Sequence, residues 1–113
     1  MTLKPSMREK WRYISFRLDC EGEVSERDAR EGIARAVIKF IGELGASKAR
    51  PKVIEYDGTR REGIMRCLTA GVGEVRAALA LINNLGASKC AVRTLKTSGT
   101  LRALREKTKD FKA

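Results

Sequence analysis

Histidine is missing from this sequence of 113 residues. The sequence therefore lacks the side chain that most often serves as a general base in enzymes and most often binds zinc. The three cysteines, Cys20, Cys67 and Cys90, are odd in number and include no CxxC pair. We expect them to be small buried hydrophobic side chains in strands rather than metal or redox groups. The protein itself is predicted to bind no metal and no cofactor.

Long apolar runs are also missing. No stretch approaches the roughly 18 residues that a membrane span requires, and the N-terminal residues are too polar for a secretory signal. We expect a soluble, cytoplasmic protein with no membrane partner. The length allows one domain with a modest core.

The charge is strongly positive, with 24 Lys and Arg against 14 Asp and Glu, a formal net charge of +10. A domain with this balance is expected to bind a polyanion, usually a nucleic acid. Residues 89–113 hold 8 basic and 2 acidic side chains, whereas residues 21–44 hold 4 and 6. One face should therefore meet the polyanion, while the first helix lies away from it.

The pentapeptide LGASK occurs twice, at residues 44–48 and 85–89. Each copy follows an amphipathic helical pattern and precedes a strand-like run. Glycine readily takes the left-handed conformation that ends helices. The repeat predicts two equivalent helix-to-strand corners, at Gly45 and Gly86.

Residues 11–20 alternate as a strand does, with Ile14, Phe16, Leu18 and Cys20 on one face. Ser25 is the predicted N-cap of a first helix with an apolar stripe of Ala29, Ile33, Val37, Phe40 and Leu44. Periodicity predicts strands at residues 11–20, 53–56, 64–68 and 90–96, and helices at residues 25–44, 72–85 and 98–109.

This order, βαββαβ, predicts an α+β fold with two helices on one face of a four-stranded antiparallel sheet. It is the ferredoxin-like arrangement of the RNA-recognition module. Residues 1–10 are expected to form a flexible basic arm. Residues 11–113 are expected to form one RNA-binding domain that includes a C-terminal helix at residues 98–109.

The residues before the last helix are the strongest candidate site. Ser98 is expected to cap the helix, Gly99 lets a ligand approach, and the exposed amides suit a phosphate. An ordinary N-cap with a solvated basic helix is the alternative. The predicted RNA-binding residues are Lys4, Arg8, Lys10, Arg12, Arg17, Arg93, Lys96, Ser98, Gly99, Thr100, Arg102, Arg105 and Lys109.

The second face of the first strand carries Trp11, Tyr13 and Arg17, which would suit stacking on unpaired nucleotides. The alternative is that the C-terminal helix covers this face and that the aromatic side chains serve packing.

The residues of the sequence give little support to a catalytic role. Asp19, Glu21 and Glu23 could hold Mg²⁺ for phosphodiester cleavage. Carboxylates before a helix are more often solvated and interact favourably with its dipole. No catalytic residue is predicted.

Four runs resemble one known family: RYISF at residues 12–16, GELGAS at 42–47, EVRAALALI at 74–82 and TSGTLRAL at 97–104. Together, over about residues 8–105, they resemble ribonuclease P protein component 2, the small basic subunit of the archaeal enzyme with a eukaryotic counterpart. The resemblance implies an α/β sandwich and a role in removing the 5′ leader from precursor tRNA.

In that family the ribonuclease P RNA carries the Mg²⁺-dependent active site. The resemblance implies that this protein, paired with protein component 3 as a heterodimer or a dimer of heterodimers, supports the catalytic RNA. Protein components 1 and 4 would complete the assembly. No motif in the sequence identifies the surface that meets component 3.

Three other functions are compatible with the residues. The first is a general RNA-binding module, for example a ribosome-associated protein. The second is a ferredoxin-like regulatory or oligomerisation domain whose charge serves only solubility. A nuclease that acts alone is the third and least favoured.

Overall fold

The computed structural model describes the backbone of residues 10–110 and the side chains of residues 10–105. In chain order its elements are β1 (Trp11–Cys20), α1 (Glu26–Ala49), β2 (Lys52–Asp57), β3 (Glu62–Leu68), α2 (Val72–Leu81), β4 (Asn84–Leu85), β5 (Ser88–Ser98) and α3 (Leu101–Asp110). A short 3₁₀ turn, Thr69–Gly71, leads into α2. Within the described residues, none of the helices has the length and apolar content needed to cross a lipid bilayer.

The strands form one antiparallel sheet in the order β2-β3-β1-β5-β4. The α+β class is confirmed, but the prediction of four strands is wrong, because the sheet has five. Helix α2 ends at Leu81, and Asn84 and Leu85 then pair with Lys89 and Ser88. Two asparagines, which favour helices weakly, follow the helix at this point.

The core lies between α1, α2 and one face of the sheet. Its largest fully buried side chains on these elements are Phe16, Ile14, Ile33, Met65, Leu79, Val37 and Val75. The predicted alternation in β1 is confirmed, since Ile14, Phe16 and Leu18 are buried whereas Arg17 is exposed. The period-two pattern thus selected the correct inward face of β1.

Helix α1 begins as predicted, because the Asp28 amide donates a 3.0 Å hydrogen bond to Oγ of Ser25. Its predicted apolar stripe is wrong beyond Val37. Phe40 and Leu44 are exposed, and Ile41 packs against the core instead. Gly42 interrupts the helical backbone with φ 77° and ψ 173°. This interruption reorients the last turns, so that Ala49 is buried.

The prediction of two equivalent corners is wrong. Residues 44–48 lie inside α1, which ends at Arg50, a left-handed residue with φ 49° and ψ 56°. Residues 85–89 form the β4–β5 hairpin, in which Gly86 is left-handed with φ 60°. Only the second copy therefore needs its glycine for the backbone conformation, and it needs it for a hairpin rather than a helix end.

The cysteine prediction is correct for only one of the three residues. Cys20 and Cys90 are opposite each other on β1 and β5 and form a disulfide, which the register creates and the sequence spacing does not suggest. Cys67 is a free, buried thiol. Burial raises the pKa of the Cys67 thiol to about 11.

Candidate nucleic-acid interface

Helix α3 packs against β5 and β1 on the open face, which is the sheet face that α1 and α2 leave uncovered. The register places Ser15, Ile64 and Glu55 on this face. Leu104 is fully buried and lines a groove with Ser15 and Ile64, and Arg105 forms an ion pair with Glu55. The C-terminal helix therefore covers part of the open face.

The loop before α3 is built differently from the prediction. Ser98 is the buried last residue of β5, and its Oγ accepts the Thr100 amide at 3.3 Å. Oγ1 of Thr100 accepts the Ala103 amide at 3.1 Å, so Thr100 caps the helix, which begins at Leu101 and not at Ser98. A longer strand thus replaces the first predicted turn.

The loop nevertheless meets a predicted basic residue. A Cβ built on Gly99 would lie 3.0 Å from Nη1 of Arg12, so the guanidinium of Arg12 lies directly against Gly99. Nη1 also donates to the backbone oxygen of Trp11 at 3.2 Å, which holds the group in place without neutralising its charge. Arg102 is exposed at the second residue of α3. The structure therefore brings Arg12 to the Gly99 loop.

Two other predicted arginines meet across the β1–β5 pair. Arg17 is opposite Arg93 in the register, and both side chains are exposed. Nε of Arg93 lies 2.7 Å from Oδ2 of Asp19, which compensates one of the two charges. This site is farther along the sheet than the Gly99 loop and less basic than the sequence suggests.

The remaining predicted residues are dispersed. The backbone of Lys96 bonds Ser15: the Lys96 amide donates to Oγ at 3.0 Å, at a bulge in the β1–β5 register. Lys10 is exposed, and its carbonyl accepts the Thr69 amide at 2.8 Å. Lys4, Arg8 and the basic arm lie outside the described residues, as does the side chain of Lys109.

The carboxylates considered for Mg²⁺ do not form a site. Asp19 is in the ion pair with Arg93, and Glu21 and Glu23 are exposed in the loop before α1. Across the part of the chain that the structure describes, no three Cys, Asp or Glu side chains come together as metal ligands.

One basic group was not predicted from the sequence. Cζ of Arg66 lies 4.2 Å from the centroid of the Trp11 ring, and Cζ of Arg50 lies 5.7 Å from it. Lys52 is paired with Arg66 across β2 and β3. Arg66 is the one polar residue in the predicted strand at residues 64–68, which was the available signal. Its neighbours follow only from the register.

A model of the Rpp14/Pop5 family matches residues 12–109, which is nearly the whole length of this chain. The chain belongs to the Rpp14/Pop5 family. The resemblance found in its sequence is thereby confirmed.

Relatives of this Rpp14/Pop5 chain include Ribonuclease P protein component 2 of Pyrococcus furiosus, 41% identical over 66 residues, 58% of this chain and 55% of the relative. The protein of the same name from Methanocaldococcus jannaschii is 41% identical over 66 residues, 58% of this chain and 48% of the relative. The match therefore spans about half the length of these curated relatives.

A chain in the cryo-EM structure of yeast Ribonuclease MRP has a similar fold. The TM-score is 0.62 at 12% sequence identity, and the alignment covers 91% of this chain and 95% of that one. At this identity the similarity shows the fold alone.

Proposed function

We propose that this protein is an RNA-binding subunit of ribonuclease P, which removes the 5′ leader from precursor tRNA. The family match over residues 12–109, with relatives named Ribonuclease P protein component 2, is the observation that carries the proposal. In this proposal the ribonuclease P RNA binds the Mg²⁺ ions and breaks the phosphodiester bond. The protein supplies positive charge on a rigid sheet and acts in the cytoplasm.

The charge distribution supports this division of labour. Arg12 lies against Gly99 in the loop before α3, and Arg102 is an exposed residue in the first turn of that helix. Cations held on rigid elements neutralise phosphates and release counterions, so a folded RNA needs less Mg²⁺ in their presence. Precursor tRNA meets the protein only within that assembly.

The helical layer supports a protein partner. Within the described residues, the large exposed apolar side chains are Leu44, Leu81, Phe40, Ile38 and Leu95, and all but Leu95 lie on α1 or α2. Leu44 is 89% exposed and Leu81 is 60% exposed. Such side chains favour a protein interface. We assign this layer to protein component 3, in a heterodimer or a dimer of heterodimers, with components 1 and 4 completing the enzyme.

Reconstituted cleavage of precursor tRNA tests the proposal. The protein alone should not cut the precursor, but with component 3 and the cognate RNA it should restore cleavage at reduced Mg²⁺. Cleavage by the protein alone would contradict the proposal. Equal stimulation by an unrelated peptide of the same charge would favour a general RNA-binding module.

A matched pair of variants locates the RNA contact. Arg12→Gln and Arg76→Gln each remove one charge, but Arg76 is an exposed residue of α2, outside β1 and the loop before α3. Arg12→Gln should lower the salt dependence of RNA binding by about one unit in the log–log slope, and Arg76→Gln should leave it unchanged. Equal slopes for the two variants would remove the Gly99 loop from the interface.

A second pair tests the protein interface. Leu44→Glu should abolish stimulation by component 3 while binding to the RNA persists, because a charge is placed in an apolar contact. Thr59→Glu, in the exposed turn between β2 and β3, adds the same charge outside α1 and α2 and should leave stimulation unchanged. Normal stimulation with Leu44→Glu would exclude that part of α1 from the interface.

A further inference from the structure

The only tryptophan of the sequence stands at the start of β1 beside three basic residues. The Arg66 guanidinium lies over its ring at 4.2 Å and the Arg50 guanidinium at 5.7 Å. Lys52 is on the same sheet face as Arg66, its partner in the register. Arg50, Lys52 and Arg66 come from three different segments, so only the fold brings them to Trp11.

Two cations of this group, Arg66 and Lys52, have no ionic partner among the described acidic residues. Nε of Arg66 is buried without a hydrogen-bond partner within the part of the chain that the structure describes. Glu55, the next acidic residue along β2, is paired with Arg105. A buried N–H donor without a partner is costly, which favours a ligand that brings a hydrogen-bond acceptor to Arg66.

Arg50 adds an independent observation. It is a left-handed residue at the end of α1, with φ 49°, and its amide donates to the Ala46 oxygen at 2.7 Å. Glycine takes this conformation without steric cost, whereas an arginine does not. Strained residues of this kind gather at binding sites. Here the strained residue places a guanidinium over Trp11.

We propose that Trp11, Arg50, Lys52 and Arg66 bind one unpaired nucleotide of RNA. The base stacks on the indole, as bases do on aromatic side chains of single-strand-binding proteins. Arg50, the more distant cation, leaves the ring and pairs with the nucleotide's phosphate together with Lys52. Arg66 remains stacked on Trp11, and its Nε donates to the same phosphate. The site rests on the proposed RNA-binding function and adds to it a class of ligand and a place.

Fluorescence provides the direct test, because Trp11 is the one tryptophan in the chain. A single-stranded decamer of adenylates should quench its emission as the decamer binds, with binding followed independently by the anisotropy of a dye on the RNA. A blunt RNA duplex should bind without comparable quenching. Binding of the decamer with unchanged Trp11 emission would overturn the site.

Variants then separate the site from the general basic surface. Trp11→Ala should weaken decamer binding roughly tenfold, the loss expected for one stacked base. Lys52→Gln and Arg50→Gly, neither of which opens the core, should each weaken it several-fold and leave duplex binding unchanged. Arg76→Gln on α2 is the matched control and should not matter. Equal losses in Lys52→Gln and Arg76→Gln would refute the site.

The nucleotide site at Trp11 and the proposed function can be refuted separately. If the variants at this site support precursor cleavage normally and the decamer does not quench Trp11, the site is wrong and the proposed function stands. If no RNA of any form binds, both are wrong. Quenching of Trp11 by component 3 but not by RNA would make this surface a protein contact and overturn the inference.

Discussion

The two LGASK copies offer a direct test of the structure, because identical residues lie on different backbones. Gly45 is inside α1, and Gly86 is in the β4–β5 turn with φ 60°. The perturbation is the same in both places, glycine to alanine. We expect opposite effects on the free energy of unfolding.

Gly86→Ala should destabilise the protein by about 1 kcal/mol. A left-handed backbone costs an alanine about 1–2 kcal/mol, and the reduced freedom of the unfolded chain returns part of it. The new Cβ would also lie 3.2 Å from an oxygen of the exposed Asp28 carboxylate, which can move.

Gly45→Ala should stabilise the protein by about 0.5 kcal/mol. Alanine is favoured over glycine by about 1 kcal/mol inside a helix. The new Cβ would lie 3.0 Å from Cβ of Ile41 and 3.3 Å from Oε2 of Glu74, so small adjustments reduce the gain.

The measurement is thermal and urea unfolding of both variants beside the parent protein. For a domain of this size 1 kcal/mol corresponds to about 4 °C, so the two melting temperatures should differ by about 6 °C. Equal destabilisation of both variants would show that Gly45 also has a left-handed backbone, and would refute its helical conformation in the part of α1 that follows Gly42.

Three further predictions follow from the core and the cysteines. The unreduced, denatured protein should show one reactive thiol and the reduced protein three, and reduction should cost about 2–4 kcal/mol of stability, since the disulfide closes a 70-residue separation. The free energy of unfolding should fall between pH 9 and 11. Burial raises the pKa of Cys67 in the folded chain to about 11, so the unfolded chain loses this proton first. Cys67→Ala should remove this part of the decline, as measured by urea titrations at each pH. Leu104→Ala should accelerate amide exchange in α3 while leaving α1 protected, because Leu104 is the fully buried side chain that joins α3 to the sheet. The disulfide would be contradicted by three reactive thiols without reductant. The burial of Cys67 would be contradicted if Cys67→Ala left the decline in stability unchanged, and the Leu104 contact if Leu104→Ala left amide exchange in α3 unchanged.

The candidate site was predictable where it depends on local sequence. The structure places Arg12 against Gly99, and the sequence analysis had selected both residues as RNA-binding candidates. The N-cap of α3 was misplaced by two residues, because Ser98 and Thr100 have equally suitable side chains and only the length of β5 decides between them. The group around Trp11 could not be predicted, since its arginines are distant along the chain.

The sequence by itself determined the class of the fold, the inward faces of β1 and of the first turns of α1, and the family. Those properties depend on periodicity and on short runs, which are local in the chain. Tertiary structure decided the backbone conformations of the two LGASK copies, the pairing of Cys20 with Cys90 and the positions of Arg50 and Arg66 beside Trp11. The same LGASK residues continue a helix in one place and turn a hairpin in the other, because the packing around them differs and their own preferences for either state differ by only about 1 kcal/mol.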